Sequence, residues 1–389
     1  MPSALRLSSM LGILLAVQFY IGWNVYAWLS ALTGRVPGAV YWTLFALVSM
    51  SYLIARLSAR YVPGFVSRLM KRIGSYWFIV LQYGLLLLPF SNLAVYALYT
   101  ASVPYDASIR YAGFGTAAAI AVIFARGSWN AWTPVVRTYC VTVAKKAGGR
   151  ERLRIAAASD LHLGGVVGRG YLQTLVDRVN ELKPDIVLLP GDVLDDDIGP
   201  FKRARMDDII GGFRAELGTY AVLGNHEYYG GSIEEYTALM AKAGIPVLTD
   251  ETLLVADSFY LIGRKDKTAE GRGGRKTIEA LLDGADRSLP LFLLDHQPSA
   301  LKEAAASGID LSLSGHTHRG QMAPNHLITR RLFELDWGYK RIGPLHAVVS
   351  SGYGTWGPPI RLGSRSEIVL IDVTFAPEDG SPEAPHSAT

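Results

Sequence analysis

The first third of the chain is dominated by long apolar segments. They cover residues 10–32, 39–55, 76–101 and 107–125. Crossing the hydrocarbon core of a bilayer takes about 20 helical residues. Trp23, Tyr26 and Trp28 occupy the place where a cleaved signal peptide would need small residues. The pattern therefore predicts a transmembrane region with four helices within residues 1–127.

Basic residues between the apolar segments give an orientation. The second connection carries Arg56, Arg60, Arg68, Lys71 and Arg72, whereas the first and third carry only Arg35 and Arg110. Lys and Arg in short connections stay on the cytoplasmic side of a membrane. With four crossings, both ends of the chain and its second domain are expected in the cytoplasm.

The hydrophobic pattern changes after the last apolar segment. Residues 128–134 include Trp129 and Trp132 and are typical of an interfacial linker, because indole favours the headgroup level. From Val135 apolar and polar positions alternate, which predicts the first strand of a second domain at 135–376. Residues 377–389, rich in Pro, Ser and Ala, are predicted to be a disordered tail.

The second domain alternates helical and extended patterns, which predicts an α/β fold. Residues 171–182, for example, place four apolar side chains on one helical face, namely Leu172, Leu175, Val176 and Val179. Uncharged polar residues within the apolar segments, such as Gln18 and Asn92, are expected to hydrogen-bond neighbouring helices rather than line a transport path.

Candidate chemistry follows five short apolar runs, each of which ends in Asp, Asn or His. The sequences are Asp160-Leu-His162, Gly191-Asp192, Gly224-Asn225-His226-Glu227, Asp295-His296 and Gly315-His316-Thr317-His318. In open α/β sheets the ligand site lies beyond the carboxyl ends of the strands. Residues i and i+2 of an extended segment point the same way, so His316 and His318 are expected to face one point. Imidazole and carboxylate together indicate a metal centre.

These motifs and their order resemble those of the calcineurin-like metallophosphoesterases, which run Asp-x-His, Gly-Asp, Gly-Asn-His-(Asp/Glu), His and Gly-His-x-His. Residues 352–361 are also similar to the closing segment of a membrane-linked bacterial branch of that family. The resemblance covers about the last 250 residues and none of the first 130. It implies a four-layered α/β/β/α sandwich. Together with the four helices predicted above, it also predicts a multi-pass protein of the bacterial plasma (inner) membrane.

The resemblance also implies a role for each site residue. One divalent metal would be held by Asp160, His162, Asp192 and His318. A second would be held by Asp192, Asn225, His296 and His316. Asp192 would then bridge the two cations. Oxygen and imidazole ligands without thiolate suit Mn²⁺, Fe or Zn²⁺, and the sequence does not choose among them.

We also expect roles for several residues around this metal centre. His226, on the opposite side of an extended segment from Asn225, is not expected to bind the same metal. The resemblance implies that it is the catalytic residue that stabilises the phosphoryl oxygens and protonates the leaving group. Arg319 is the candidate for binding a substrate phosphate. Glu227 and Asp295 are expected to orient imidazoles, and Asp195 is a weaker candidate for contact with the site. A basic loop is expected to lie on the surface, facing solvent or lipid headgroups, rather than to bind a substrate phosphate; it contains Arg264, Lys265, Lys267, Arg272, Arg275 and Lys276. An apolar set could be core or a mouth for an acyl chain; it comprises Leu332, Phe333, Leu335, Trp337 and Tyr339.

The amino-acid composition excludes several structural and functional classes. The single cysteine, Cys140, excludes an intrachain disulfide, and a net charge of +4 without a basic array gives no surface for nucleic acid. The predicted reaction is hydrolysis of a phosphodiester or pyrophosphate bond by water activated by two metals. The expected partners are the lipid bilayer and a phosphorylated, lipid-linked substrate such as a UDP-diacylglucosamine-type precursor. Two alternatives stay open: a tethered enzyme acting on soluble nucleotides or phosphoproteins, and a non-catalytic sensor.

Overall fold

The computed structural model describes residues 2–58, 61–62, 64–271 and 273–376. The tail predicted at 377–389 lies outside this part of the chain. Two of the basic residues named above, Arg60 and Arg272, also lie outside it. The structure divides into two units, Met1–Arg126 and Gly127–Thr389.

Apolar helices make up the first unit. They are α1 (Pro2–Thr33), α2 (Gly38–Ser49), α3 (Ser51–Leu57), α4 (Gly64–Thr100) and α5 (Tyr105–Trp132), of which α5 continues into the second unit. Within the described ranges, three segments are long and apolar enough to cross a membrane, namely Ser8–Thr33, Phe65–Thr100 and Tyr105–Trp132.

The predicted second span, residues 39–55, is not one continuous helix. It is interrupted at Met50, which separates α2 from α3. The 12 residues of α2 reach only about 18 Å at the rise of an α-helix, less than the hydrocarbon thickness. Three spanning helices therefore have structural support, and a fourth crossing is a proposal. The linker predicted at 128–134 also differs, since α5 stays helical to Trp132.

Two amide side chains of the first unit bond between helices, as expected. The indole Nε1 of Trp77 donates to Gln18 Oε1 at 2.9 Å, and Asn92 Nδ2 donates to the Tyr20 hydroxyl at 2.9 Å. Inside a bilayer, such partners satisfy groups that lipid cannot. These amides therefore serve helix packing.

Two six-stranded sheets form the second unit. The first, in the order β1-β12-β2-β3-β4-β5, consists of β1 (Val135–Val143), β2 (Arg152–Ala157), β3 (Ile186–Pro190), β4 (Thr219–Val222), β5 (Val247–Leu248) and β12 (Glu367–Phe375). The second, in the order β10-β11-β9-β8-β7-β6, consists of β6 (Glu251–Val255), β7 (Phe259–Gly263), β8 (Leu291–Leu294), β9 (Leu311–Ser314), β10 (Gly338–Ile342) and β11 (Leu345–Val349). The first strand begins at Val135, as predicted.

Helices connect many of these strands. They are α6 (Arg169–Glu181), α7 (Ile198–Arg203), α8 (Met206–Ile210), α9 (Asn225–Gly230), α10 (Ile233–Lys242), α11 (Ile278–Leu281), α12 (Leu301–Ala306) and α13 (His326–Leu332). The four apolar residues predicted on one face of α6 are its buried residues, which confirms that prediction.

Strand alternation explains where the cores lie. On β3, Ile186 and Leu188 join a cluster that also contains Phe292 of β8, whereas Val187 and Leu189 face a separate cluster. Successive side chains of a strand point to opposite faces, so a strand buried on both faces is continuously apolar. The cluster shared by both sheets contains residues of β2, β3, β8 and β9, and further clusters join the first sheet to α6, α8 and α10 and the second to α11 and α12. The fold is therefore mixed α/β with two sheets.

Parallel pairing gives the site its position. The strands β2, β3 and β4 pair in parallel, and so do β7, β8 and β9. Parallel strands end at the same edge of their sheet, so the polar residues that follow them are brought together.

Candidate metal centre

All seven predicted ligands follow strands at these carboxyl ends. Asp160 and His162 follow β2, Asp192 follows β3, Asn225 begins α9 after β4, His296 follows β8, and His316 and His318 follow β9. The ligand atoms of Asp160, His162 and His318 lie within 4.8 Å of one another, and so do those of Asp192, His296 and His316. The structure therefore brings residues from both sheets into two adjoining groups.

The local backbone at these residues is left-handed rather than extended. Five of them have φ values between 46° and 69°, namely Asp160, His162, Asp192, His316 and His318. The expectation that His316 and His318 face one point as neighbours on an extended segment is therefore wrong, and each belongs to a different group. A left-handed non-glycine residue costs about 1–2 kcal/mol. Backbone hydrogen bonds hold these turns, as from Asp160 N to Gly191 O and from His162 N to Asp192 O, both at 3.0 Å.

In the first group, nitrogen atoms face one another. His162 Nε2 lies 3.0 Å from His318 Nε2, and the latter lies 3.5 Å from Asp160 Oδ1. Burial lowers the pKa of His162 to about 3 and holds that of His318 well below its usual value. Both imidazoles are therefore neutral, as metal-binding histidines are, and their Nε2 atoms face the same space.

The second group is built around Asp192 and Asn225. His296 Nε2 lies 3.1 Å from Asp192 Oδ2, and Asn225 Oδ1 lies 2.8 Å from His316 Nδ1 and 3.2 Å from His296 Nε2. His296 Nδ1 lies 2.8 Å from the carbonyl oxygen of Pro190, to which it can only donate. Its Nε2 is thereby directed at Asp192. A hydrogen bond behind a ligating histidine is the usual way to orient its metal-binding nitrogen.

Asp192 joins the two groups. Its Oδ2 atom also lies 4.0 Å from His162 Nε2, and its Oδ1 atom accepts the backbone N–H of His226 at 2.9 Å. Burial alone would raise the pKa of Asp192, but the charge and hydrogen bond of His296 outweigh it and hold that pKa below its usual value. Burial raises the pKa of Asp160 to about 6. Carboxylate, amide and imidazole donors facing a common buried space fit divalent cations.

His226 stands beside these groups, but not for the predicted reason. Asn225 and His226 begin α9, so the helical turn, not an extended segment, separates their side chains. His226 Nδ1 lies 2.8 Å from Asp196 Oδ1 and 3.9 Å from Asp195 Oδ1. Burial would lower the pKa of His226, but the hydrogen bond to Asp196 and the charge of Asp192 raise it to about 9. Asp196, the nearest acidic neighbour, was missed, because Asp195 was the residue of this acidic run that we expected near the site.

Glu227 and Asp295 do not orient imidazoles, contrary to expectation. Glu227 accepts three backbone N–H groups, from Asp192 at 3.1 Å, Leu194 at 2.8 Å and Gly224 at 2.7 Å. It therefore fixes the loops that carry Asp192 and Asn225. Burial raises the pKa of Glu227 to about 7.

Asp295 pairs instead with two arginines of the basic loop. Arg264 Nη1 lies 3.4 Å from Asp295 Oδ2, and Arg275 Nη2 donates to Asp295 Oδ1. The side chains of Arg264 and Arg275 are only 6% and 3% exposed. The expectation of a surface loop is therefore wrong for these two arginines. Both form buried ion pairs with Asp295, the residue before His296.

Arg361 is a site residue that sequence reasoning missed. Its guanidinium is fully buried, donates to the carbonyl oxygens of Ser351 and Gly352 at 2.6 and 3.1 Å, and lies 3.3 Å from His318 Nδ1. It therefore fixes the position of the His318 ring from behind. The only sequence signal was its place in residues 352–361, which resemble the family's closing segment.

Arg319 lies on an aromatic ring. Its guanidinium carbon is 4.0 Å from the ring centroid of Trp337, and that of Arg137 is 4.6 Å from the same centroid. Within the described part of the chain Arg319 forms no ion pair with a carboxylate, which leaves its charge available to an anion. The predicted apolar set divides, since Trp337 bonds Glu367 through its indole N–H at 3.2 Å whereas Leu332 is 72% exposed.

A glycine before His316 gives the first prediction. A Cβ atom on Gly315 would lie 2.2 Å from Asp160 Oδ2 and 2.5 Å from Ser159 Oγ. Overpacking of this kind costs about 1–3 kcal/mol. Gly315→Ala is expected to displace Asp160 or His316 and to lower the bound metal, measured by elemental analysis after dialysis, while the protein still folds.

A matched control is Gly170→Ala in α6, where a Cβ atom meets nothing within 4 Å. This variant should keep its metal and gain slightly in thermal stability, because alanine is the better helix former. Full metal content in Gly315→Ala would contradict the packing argument.

Comparison with known proteins agrees with this geometry. The family described as calcineurin-like phosphoesterase matches residues 153–320. A "transmembrane protein with metallophosphoesterase domain" of Danio rerio is 35% identical over 245 residues, which cover 59% of this chain and 55% of the relative. This chain therefore spans about half the length of that relative. The apolar helices and the name of this relative both indicate a membrane protein.

Two further proteins are similar to this chain. The solved structure of Haemophilus influenzae NAD nucleotidase is similar at 16% identity and a TM-score of 0.38, over 61% of this chain and 50% of the other. An uncharacterized metallophosphoesterase of Aquifex aeolicus (strain VF5) is 35% identical over 244 residues, which cover 61% of this chain and 91% of the relative. The chain belongs to the calcineurin-like metallophosphoesterases, a family of metal-dependent hydrolases.

Proposed function

We propose that this protein is a membrane-bound phosphoesterase in which water activated by two divalent cations hydrolyses a phosphodiester or pyrophosphate bond. The observation that carries the proposal is the position of Asp192, whose Oδ2 atom lies 3.1 Å from His296 Nε2 and 4.0 Å from His162 Nε2. One carboxylate is thereby shared by two ligand groups. Asp160, His162 and His318 would complete one site, and Asn225, His296 and His316 the other.

The cations would supply charge to the phosphate oxygens and lower the pKa of a water molecule. The chain's own residues supply the remaining functions. His226, whose Nδ1 atom lies 2.8 Å from Asp196 Oδ1, stands beside both ligand groups and can donate a proton to the departing oxygen. Arg319, without a carboxylate partner in the described residues, can bind a second anionic group of the substrate.

We further propose that the substrate is membrane-associated, with a lipid-linked pyrophosphate of the UDP-diacylglucosamine type as the first one to test. Only Thr133 and Pro134 separate α5 from β1, so the catalytic domain follows directly on an apolar helix. A soluble nucleotide or phosphoprotein is the alternative, and faster hydrolysis of such compounds than of any lipid-linked phosphate would favour it. The complete ligand set argues against a non-catalytic sensor.

The four-layered α/β/β/α arrangement, a fourth crossing and a cytoplasmic catalytic domain in a bacterial plasma membrane belong to the same proposal. The basic residues between the second and third apolar segments support the orientation. A reporter fused after Thr389 is expected to show cytoplasmic activity. A periplasmic signal from that fusion would require a different number of crossings.

Two substitutions separate metal binding from proton donation. Asp192→Ala should lose both cations and all hydrolysis of bis(4-nitrophenyl) phosphate, because it removes the shared ligand. His226→Ala should keep its metal while turnover falls by about 10² to 10⁴ fold, the usual contribution of a general acid. Metal content and rate are measured on the same samples.

The matched control is His346→Ala, which removes a histidine of β11 that bonds Tyr339 and Thr142 rather than the site. This variant should keep both metal and rate. Loss of metal from His226→Ala would overturn the role given to that residue, and retained activity in Asp192→Ala would overturn the shared-ligand proposal.

A further inference from the structure

Helix α13 presents an unusual surface. Leu327, Ile328 and Leu332 are 55%, 59% and 72% exposed, and the helix has no buried residue. Arg330 and Arg331 lie in its last turn and are exposed as well. Large aliphatic side chains beside arginines are typical of helices that lie in a membrane interface.

A tryptophan extends this surface. Trp356 is 59% exposed, and its backbone is held by Gln321, whose side chain accepts the Trp356 N–H at 2.9 Å and donates to its carbonyl oxygen at 2.8 Å. Indole side chains favour the headgroup level of a bilayer. We call the set of Leu327, Ile328, Leu332 and Trp356 the interfacial patch.

Hydrogen bonds within the second unit connect the patch to the end of α5. Arg361 N donates to Gly127 O at 2.9 Å, and Asn130 Nδ2 donates to Arg361 O at 3.0 Å. The next residue, Leu362, bonds Gln321 and Ala323 through its backbone, each at 2.8 Å. Helix α13 begins three residues after Ala323. The patch is thus fixed to the end of a helix that is itself long and apolar enough to cross a membrane.

Further exposed apolar side chains lie at the end of α5, to which the patch is connected by hydrogen bonds. Trp129 and Trp132 at the end of α5 are 59% and 38% exposed. Together with the patch they make six of the ten exposed large apolar residues in the described part of this unit; the others are Val136, Tyr229, Leu253 and Leu254. Exposed apolar side chains on two segments that are bonded to each other are typical of an interaction surface.

The patch also borders the metal centre. The residue after α13, Phe333, has its ring centroid 5.9 Å from that of His316. On the other side, Arg361 reaches His318 and Arg319 lies on Trp337. A phosphate held at the level of lipid headgroups would therefore be close to the ligands.

We propose that the interfacial patch rests in the headgroup layer of an anionic lipid bilayer, with its aliphatic side chains inserted and with Arg330 and Arg331 on the lipid phosphates. The positive charges of the two arginines favour an anionic bilayer as the partner of this surface, because arginines beside an apolar face complement anionic headgroups. Such a contact would deliver a lipid-borne phosphate to the metal centre from the plane of the membrane. This consequence for the substrate rests on the proposed phosphoesterase function, whereas the contact with the bilayer is independent of that function.

Spin labels on the full chain in lipid nanodiscs test the contact. A Cys140→Ser background leaves one engineered cysteine for the label, at Ile328 or Leu332. The control site is Leu254, an exposed leucine of β6 that lies outside the patch. Labels at the patch are expected to show greater collision with oxygen and less with a water-soluble nickel chelate than the label at Leu254.

Changing the charge of the lipid, or that of the two arginines, tests the electrostatic part of the proposal. Replacing anionic by zwitterionic lipid, or adding Arg330→Glu and Arg331→Glu together, should shift the patch labels toward the aqueous values and leave the Leu254 label unchanged. Patch labels that match Leu254 in anionic nanodiscs would overturn the proposal. A patch that is immersed equally in both lipids would overturn its electrostatic part.

Hydrolysis separates this inference from the proposed function. Ile328→Ser combined with Leu332→Ser should leave turnover of soluble bis(4-nitrophenyl) phosphate unchanged and raise the KM for vesicle-borne UDP-2,3-diacylglucosamine severalfold. Equal effects on both compounds would contradict a membrane role for the patch. Absence of any hydrolysis by the unmodified protein would refute the phosphoesterase proposal while the label data still decide the bilayer contact.

Discussion

The burial of a charged carboxylate at Asp192 is the constraint around which the catalytic domain is arranged. Its side chain is only 2% exposed, and a buried charge is costly unless it is paired and hydrogen-bonded. The backbone N–H of His226 and the Nε2 atom of His296 supply that compensation. Glu227 fixes the loop itself by accepting the backbone N–H of Asp192. Because these partners follow different strands, the charge is stabilised only in the fully assembled fold.

Close packing accompanies this constraint. Gly224 stands where a Cβ atom would lie 2.1 Å from Asp192 Oδ1, and Gly191 stands where one would lie 2.7 Å from His296 Nδ1. Gly191 also has a φ value of 83°, a conformation that glycine adopts without strain. The glycines that precede Asp192 and Asn225 are thus required by the close approach of the loops. The loops in turn place oxygen and nitrogen donors where cations can bind them together.

Local sequence was sufficient to place the candidate ligands at the ends of strands but not to give their geometry. An apolar run followed by Asp, Asn or His is a local pattern, and so is the helical face of α6; both were predicted correctly. The left-handed turns at Asp160 and His318 were not, since nothing in a single sequence fixes φ at an aspartate or a histidine.

Contacts between residues far apart in the sequence were the second feature that the sequence did not predict. Arg275 meets Asp295 across 20 positions, and Glu227 meets Asp192 across 35. Arg361 reaches His318 across 43 positions. Such contacts depend on how the two sheets and their loops pack, so the basic loop was assigned to the surface when two of its arginines are buried.

The central claim is that two cations share Asp192. Electron paramagnetic resonance of the protein loaded with Mn²⁺ tests it directly, because two manganese ions that share a ligand are magnetically coupled. At full loading the expected result is the broad multiline spectrum of a coupled pair. A six-line spectrum of isolated manganese at full loading would contradict it.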